Sequence, residues 1–210
     1  MYSKIPPNTA VAAACGGPPV AGYACRRRAA LRRLIVSMLL AAWLLMFKVP
    51  AIARGADEYA VKAAFLVKFS QYVTWPAEAF AGPAAPFTIG VLGDDAFGAD
   101  LDADARSVVV GPEKRKIVIK RSRKPADLKD CQILFISKSE RAQAPQILAG
   151  LGQAKILTVS ESDGFAANGG IVNFYIADDA TVRFEINNDV AVRHGLTIDP
   201  RLLRLARPVH

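Results

Sequence analysis

Two adjacent carboxylates, Asp94 and Asp95, follow the apolar run Phe87 to Leu92 after a single glycine. Paired acids at the end of a buried strand suit two kinds of work. They can hold a cation or an amine at the carboxyl rim of an open α/β sheet, where ligands gather. Alternatively, one caps the short helix that follows and the other meets solvent. Ser160 ends a later strand-like run, Lys155 to Val159, and shares that rim if the strands are parallel. Asn173 and the loop through Asp163 and Asn168 extend it. A small-ligand site built on Asp94, Asp95, Ser160 and Asn173 is therefore one expectation.

Catalytic combinations are scarce. Beyond residue 53 the histidines are His194, beside a helix-capping Gly195, and the terminal His210. There is no H-E-x-x-H, no G-x-S-x-G, no P-loop and no paired Cys with metal-ligand spacing. No catalytic residue, cofactor site or metal site is assigned. Cys131 opens an apolar run, as a small buried hydrophobe or as the partner in an intermolecular disulfide. Trp75, Phe80 and Phe97 are either anchors of a protein–protein surface, where aromatics dominate, or core residues. Lys114 to Lys129 holds eight cations. They face anionic lipid or an acidic partner, or they solvate a sheet edge and discourage strand pairing.

Positioning these groups requires alternating elements. Asp57-Glu58 open a helix with an apolar face of Val61, Ala64, Phe65, Val67, Phe69 and Tyr72, stopped by Trp75-Pro76. Phe87–Leu92 reads as a buried strand, Phe97–Ala103 as a short helix and Lys116–Arg121 as an edge or half-exposed strand. Gln132–Ile136 is an apolar strand, Glu140–Leu151 a helix ended by Gly152, and Lys155–Val159 another strand. Ile171–Ile176 and Thr181–Ile186 flank Ala177–Ala180, a hairpin signal. A short helix Asn188–His194 and a last helical turn in Arg201–Ala206 follow. The fold class is α/β: a single domain, 54–210, with a mostly parallel sheet flanked by helices and a C-terminal antiparallel hairpin at its edge.

Charge and hydropathy divide the chain earlier. Arg26, Arg27, Arg28, Arg32 and Arg33 precede the apolar run Leu34 to Phe47, which is shorter than the roughly 20 residues a membrane span needs. Ala51-Ile52-Ala53 follows as a cleavage site. Residues 1–53 are expected to be an extended N-terminus and signal peptide, cut after Ala53; an uncleaved anchor is the alternative. The net charge of +8 sits there, because residues 1–53 carry 7 of the 27 Lys and Arg and none of the 19 Asp and Glu. The remainder has 20 cations against 19 anions, a net of +1. A nucleic-acid partner loses its main support. Cys15 and Cys25 leave with the leader, so no intramolecular disulfide is available to Cys131.

Several segments together resemble the YfiR-like family of periplasmic proteins. They are Glu58 to Leu66 leading through Phe69 to Val73-Thr74-Trp75-Pro76, Ile89 to Asp95, Cys131 to Ser137, Leu157 to Ser160, Gly169 to Phe174, Arg183 to Asn187 and Arg201 to Ala206. The resemblance implies a non-enzymatic periplasmic regulator. Its partner would be the extracytoplasmic sensor domain of an inner-membrane diguanylate cyclase or related sensor, whose cyclic-di-GMP output it holds down, and it would sometimes form a homodimer. Redox control by several disulfides, as in the family's best-known member, does not carry over to a chain with Cys131 alone. The candidate partner or ligand surface is Trp75, Asp94, Asp95, Phe97, Ser160 and Asn173.

Overall fold

The computed structural model describes residues 51–209, with side chains from Glu58 onward. The expected leader and its apolar run 34–47 lie outside the described residues. Helix α1 spans Ala51–Tyr72 and leads into strand β1, Val73–Thr74. It opens six residues ahead of the expected Asp57, so the expected cut after Ala53 falls in its first turn.

Strand β2, Phe87–Leu92, starts the main sheet. Helix α2, Ala99–Arg106, returns the chain through β3, Val109–Val110, to β4, Arg115–Ser122. Strand β5 is Ile133–Ile136. A 3₁₀ segment over Lys138–Gln143 precedes helix α3, Ala144–Leu151, so the expected single helix from Glu140 is split at Pro145. Strands β6 (Leu157–Ser160), β7 (Val172–Ile176) and β8 (Val182–Ile186) come next. Helix α4 (Asn188–Arg193), strand β9 (Thr197–Ile198), helix α5 (Pro200–Leu203) and strand β10 (Arg207–Pro208) complete the domain.

Eight strands form the main sheet in the order β10-β8-β7-β6-β5-β2-β4-β3. β2 runs parallel to β4 and β5, β5 to β6, and β6 to β7. β7 and β8 form the antiparallel hairpin, with Phe174 opposite Phe184. β1 and β9 form a separate antiparallel pair, Val73 opposite Ile198. The fold is thus mixed α/β, mostly parallel and flanked by helices. One expectation is corrected: the hairpin is not an outer edge, because β10 lies along β8 with Arg207 opposite Glu185. A two-residue strand has no periodicity to read, so only its pairing reveals it.

β5 shows why the sheet is covered on both sides. Its four apolar residues are all buried. Ile133 and Phe135 join the core that holds Ala63, Leu66 and Phe69 of α1, while Leu134 and Ile136 join the core that holds Ala144 and Ile147 of α3. A continuous apolar run with period-two partition is the signature of a parallel strand between two helical layers. Phe65 and Phe69 pack against Phe174 and Phe184, fastening α1 to the hairpin.

The face of α1 is also corrected. Val61 is 43% exposed, whereas Lys62, Ala63, Leu66, Phe69 and Ser70 are buried. The stripe is rotated from the expected one because it contains a lysine. Lys62 is 1% exposed, and a pattern that places charges outward cannot see a lysine neutralised inside.

Candidate functional site

The carboxyl ends of β2, β5 and β6 point the same way, which brings the loops after them to one rim. Gly93 starts the first loop at φ 93°, the left-handed region that favours glycine. A Cβ there would also stand 2.4 Å from the Ser139 hydroxyl. That hydroxyl accepts a 3.0 Å hydrogen bond from the Asp94 N–H, joining the β2 loop to the segment after β5.

The two nominated carboxylates are already engaged. Asp94 pairs with Arg123 at 2.5 Å, both side chains well exposed, so the pair adds little stability. Asp95 accepts from the Phe97 N–H at 2.9 Å and pairs with Arg121 at 2.6 Å. Arg121 also clamps Asp102 of α2 at 2.6 Å. The hydrogen bond from Arg121, followed by its charge, holds the Asp102 carboxyl below the usual range, and Asp102 in turn raises Arg121. Asp95 thus fixes the loop ahead of α2 without capping the helix itself, whose N-cap is Gly98. Three of the eight cations of the 114–129 run are used inside the domain. The third, besides Arg121 and Arg123, is Arg115, which donates to the Gly82 and Ala85 carbonyls and lies 4.2 Å over the Phe80 ring.

Ser160 and Asn173 are neighbours across β6 and β7, paired in register. Both are buried. Ser160 donates to the Ile136 carbonyl at 2.8 Å. Asn173 donates to Glu185, whose other oxygen meets Arg207 at 2.6 Å, while the Asn173 Oδ1 has no partner. Phe97 is 2% exposed, wedged between Tyr59 and Phe135. Trp75 lies at the other end of the sheet, 8% exposed, edge-on to Phe87 and donating to the Gln132 carbonyl. The six residues therefore do not share one open surface. Asp94 and Asp95 are at the rim with Phe97 beneath them, Ser160 and Asn173 are interior, and Trp75 is at the far end.

At that far end Trp75, Phe80, Val110 and Arg115 line a cavity of about 680 Å³. Cys131 is 3% exposed, and burial pushes its thiol up to about 12. His194 has Nδ1 2.8 Å from the Ala154 carbonyl oxygen, a link between α4 and the turn before β6. Among the described residues no three His, Cys, Asp or Glu side chains gather as a metal site, and no helix is long and apolar enough to cross a membrane.

Sequence reasoning missed the most unusual group on the rim. The Lys62 ammonium lies between the carboxylates of Glu58, one turn earlier on α1, and Glu161, the residue after β6. Tyr59 donates 2.7 Å to the same Glu161, and its ring lies 4.6 Å from the ammonium. Burial, then the Glu161 carboxylate, push the Tyr59 phenol well above its ordinary value. Removing Lys62 and Glu161 from water costs several kcal/mol per ion, offset only when every partner is in place. The cluster fastens α1 to the β6 rim with a directional contact. The one signal in the sequence was Glu58–Lys62 at i, i+4 spacing.

The fold and this rim define a single α/β domain whose nominated carboxylates and buried lysine are tied into its own scaffold. The chain belongs to the YfiR/HmsC-like family, whose model matches residues 59–207. No curated protein sequence matches it. Among solved structures it is similar to a conserved domain protein from Vibrio cholerae O1 biovar El Tor. That likeness has 14% identity and a TM-score of 0.44, covering 59% of this chain and 54% of that one. It is also similar to the ABC domain in complex with L-Trp from Streptococcus pneumonia. Here identity is 14% and the TM-score 0.47, covering 70% of this chain and 60% of that one. The chain thus spans under two thirds of either structure, and neither likeness bears on function.

Proposed function

We propose that this chain is a non-enzymatic periplasmic regulator, exported by residues 1–53, that binds the extracytoplasmic sensor domain of an inner-membrane signalling protein. The partner we favour is a diguanylate cyclase, whose cyclic-di-GMP output the bound regulator represses. The observation that carries the reading is the family match across 59–207, nearly all of the described domain. The engagement of Asp95 inside the domain supports it, since Arg121 ties that carboxylate to Asp102 of α2.

Repression by such a domain is a matter of differential affinity. To move a partner from 99:1 active to 1:99, it must bind the inactive state ~10⁴-fold more tightly. The test is to express the full-length gene with a C-terminal tag, crosslink in living cells and identify what co-purifies from the inner membrane. Recovery of a protein with a cytoplasmic cyclase domain, with cyclic-di-GMP rising when the gene is deleted, supports the reading. A folded, abundant protein that captures no membrane protein overturns it.

A small-ligand reading is favoured by the cavity beside Trp75, Phe80 and Arg115 and not by the Asp94–Asp95 rim. A thermal shift with amino acids or amines, lost in Arg115→Gln, would support it through mass action on the folded state.

A further inference from the structure

We propose that the outer edge of β4 docks an extended acidic segment of a partner protein as an added strand of the main sheet. The proposal deepens the regulator reading by naming how a partner is held. Its test uses a synthetic strand, so it stands or fails apart from the identity of any cyclase.

Three observations carry it. First, β3 covers β4 only at Arg115 and Lys116, opposite Val110 and Val109. From Ile117 to Ser122 no described strand lies on the outer side. Second, the register against β2 is unbroken from Phe87–Ile117 to Leu92–Ser122, and the Ser122 carbonyl accepts from the Gly93 N–H on the β2 side. Backbone groups alternate sides along a strand. Val118, Lys120 and Ser122 therefore turn theirs to β2, and Ile117 turns its groups toward the end of β3 at Val108, while Ile119 and Arg121 turn theirs outward with no described strand opposite. Third, the side chains beside that ladder are Lys116, Val118 and Lys120, with Lys124 just beyond. Val118 is 46% exposed. The three lysines are exposed, and none makes an ion pair among the described residues.

The chemistry selects the occupant. A strand whose side chains on one face read acidic, aliphatic, acidic, with polar residues between them on the other face, would place carboxylates beside Lys116 and Lys120 and an aliphatic side chain beside Val118, while its backbone completes the ladder. A second copy pairing edge to edge would bring Lys116, Lys120 and Arg121 close to the same cations, an arrangement edge lysines disfavour. An anionic membrane would answer the charge but supplies no run of backbone partners.

The probe is a fluorescent, N-acetylated peptide of about eight residues with the repeat Glu-Thr-Val-Thr, titrated into the protein purified after expression of the full-length gene. Binding is read by anisotropy and by amide hydrogen exchange. Strand addition predicts slower exchange at Ile119 and Arg121, by roughly tenfold or more at saturation, with Val118 and Lys120 unchanged. Affinity should fall with salt and drop roughly tenfold in Lys116→Glu/Lys120→Glu, two exposed positions whose change leaves the core intact. Four results would overturn it: no protection at those amides; equal binding of a peptide N-methylated at alternate residues; protection by anionic phosphatidylglycerol vesicles but not by the peptide; or the same protection in concentrated protein alone, together with a dimer mass.

Discussion

Replacing Lys62 with Met tests the reading of the rim most directly. The lysine side chain is 2% exposed and that of Glu161 is 3%, whereas Glu58 is 29% exposed. Lys62→Met keeps the aliphatic stem but leaves the buried Glu161 carboxylate with only the Tyr59 hydroxyl. Orphaning one partner of a buried ion pair costs about 3–5 kcal/mol. Glu161→Gln is milder, about 2 kcal/mol, because Lys62 keeps Glu58. The double variant Lys62→Met/Glu161→Leu removes both charges together and should return to within about 1 kcal/mol of the parent. A double-mutant cycle whose single variants are Lys62→Met and Glu161→Leu therefore yields a favourable coupling of several kcal/mol. The assay is urea unfolding at neutral pH, followed by the fluorescence of the buried Trp75 and checked by circular dichroism. For a domain of this size the single lysine variant should lower Tm by about 9–15 °C. A Lys62→Met cost under about 1 kcal/mol, or a double variant as unstable as the two singles summed, would refute the account of a buried, mutually dependent cluster.

Cys131 should resist a thiol reagent such as Ellman's in the native protein and react at once in denaturant, because its thiol is buried and pushed up to about 12; rapid native labelling would contradict the burial. Alkali should destabilise the domain. The Cys131 thiol and Tyr59 phenol have folded-state values raised above 9.0 and 10.0, so their contribution is whole below those values and is lost as pH rises past them. Cys131→Ala/Tyr59→Phe should lose urea resistance less steeply above about pH 10, and equal slopes would count against those shifts. Gly170→Ala should cost about 2–3 kcal/mol, since its Cβ would stand 2.1 Å from the Phe165 ring. Gly150→Ala in α3, with nothing within 4 Å, should gain about 0.5 kcal/mol in the same urea melts.

Elements whose burial pattern repeats within themselves were legible. β2, β5 and the β7–β8 hairpin announce themselves through apolar runs and turn residues. β1, β3, β9 and β10 have two residues each, and a pair of residues carries no period. The phase of α1 was misread for a physical reason, because Lys62 occupies a core position and needs Glu161, 99 residues away, to do so. Trp75 and Phe97 read equally well as surface anchors or as core, since an aromatic side chain is suited to both. Only tertiary placement separated them. The pairing of Asp95 with Arg121 is likewise invisible in the sequence, because charge alone does not say which cation meets which anion.

The short pair β1–β9 reaches furthest along the chain. Val73 lies opposite Ile198 in register, and the Asp199 N–H donates to the Tyr72 carbonyl at 2.8 Å. The C-terminal end of the opening helix is thereby finished by residues that follow strands β2 to β8 in the chain. Contacts of such separation must be preceded by closure of a very long loop, and chains dominated by them fold slowly. A nascent domain would stay open at this end until β9 had emerged. For a protein that, as proposed above, is exported before it folds, that delay favours closure on the far side of the membrane, because the strand that completes its first helix follows β8 in the chain.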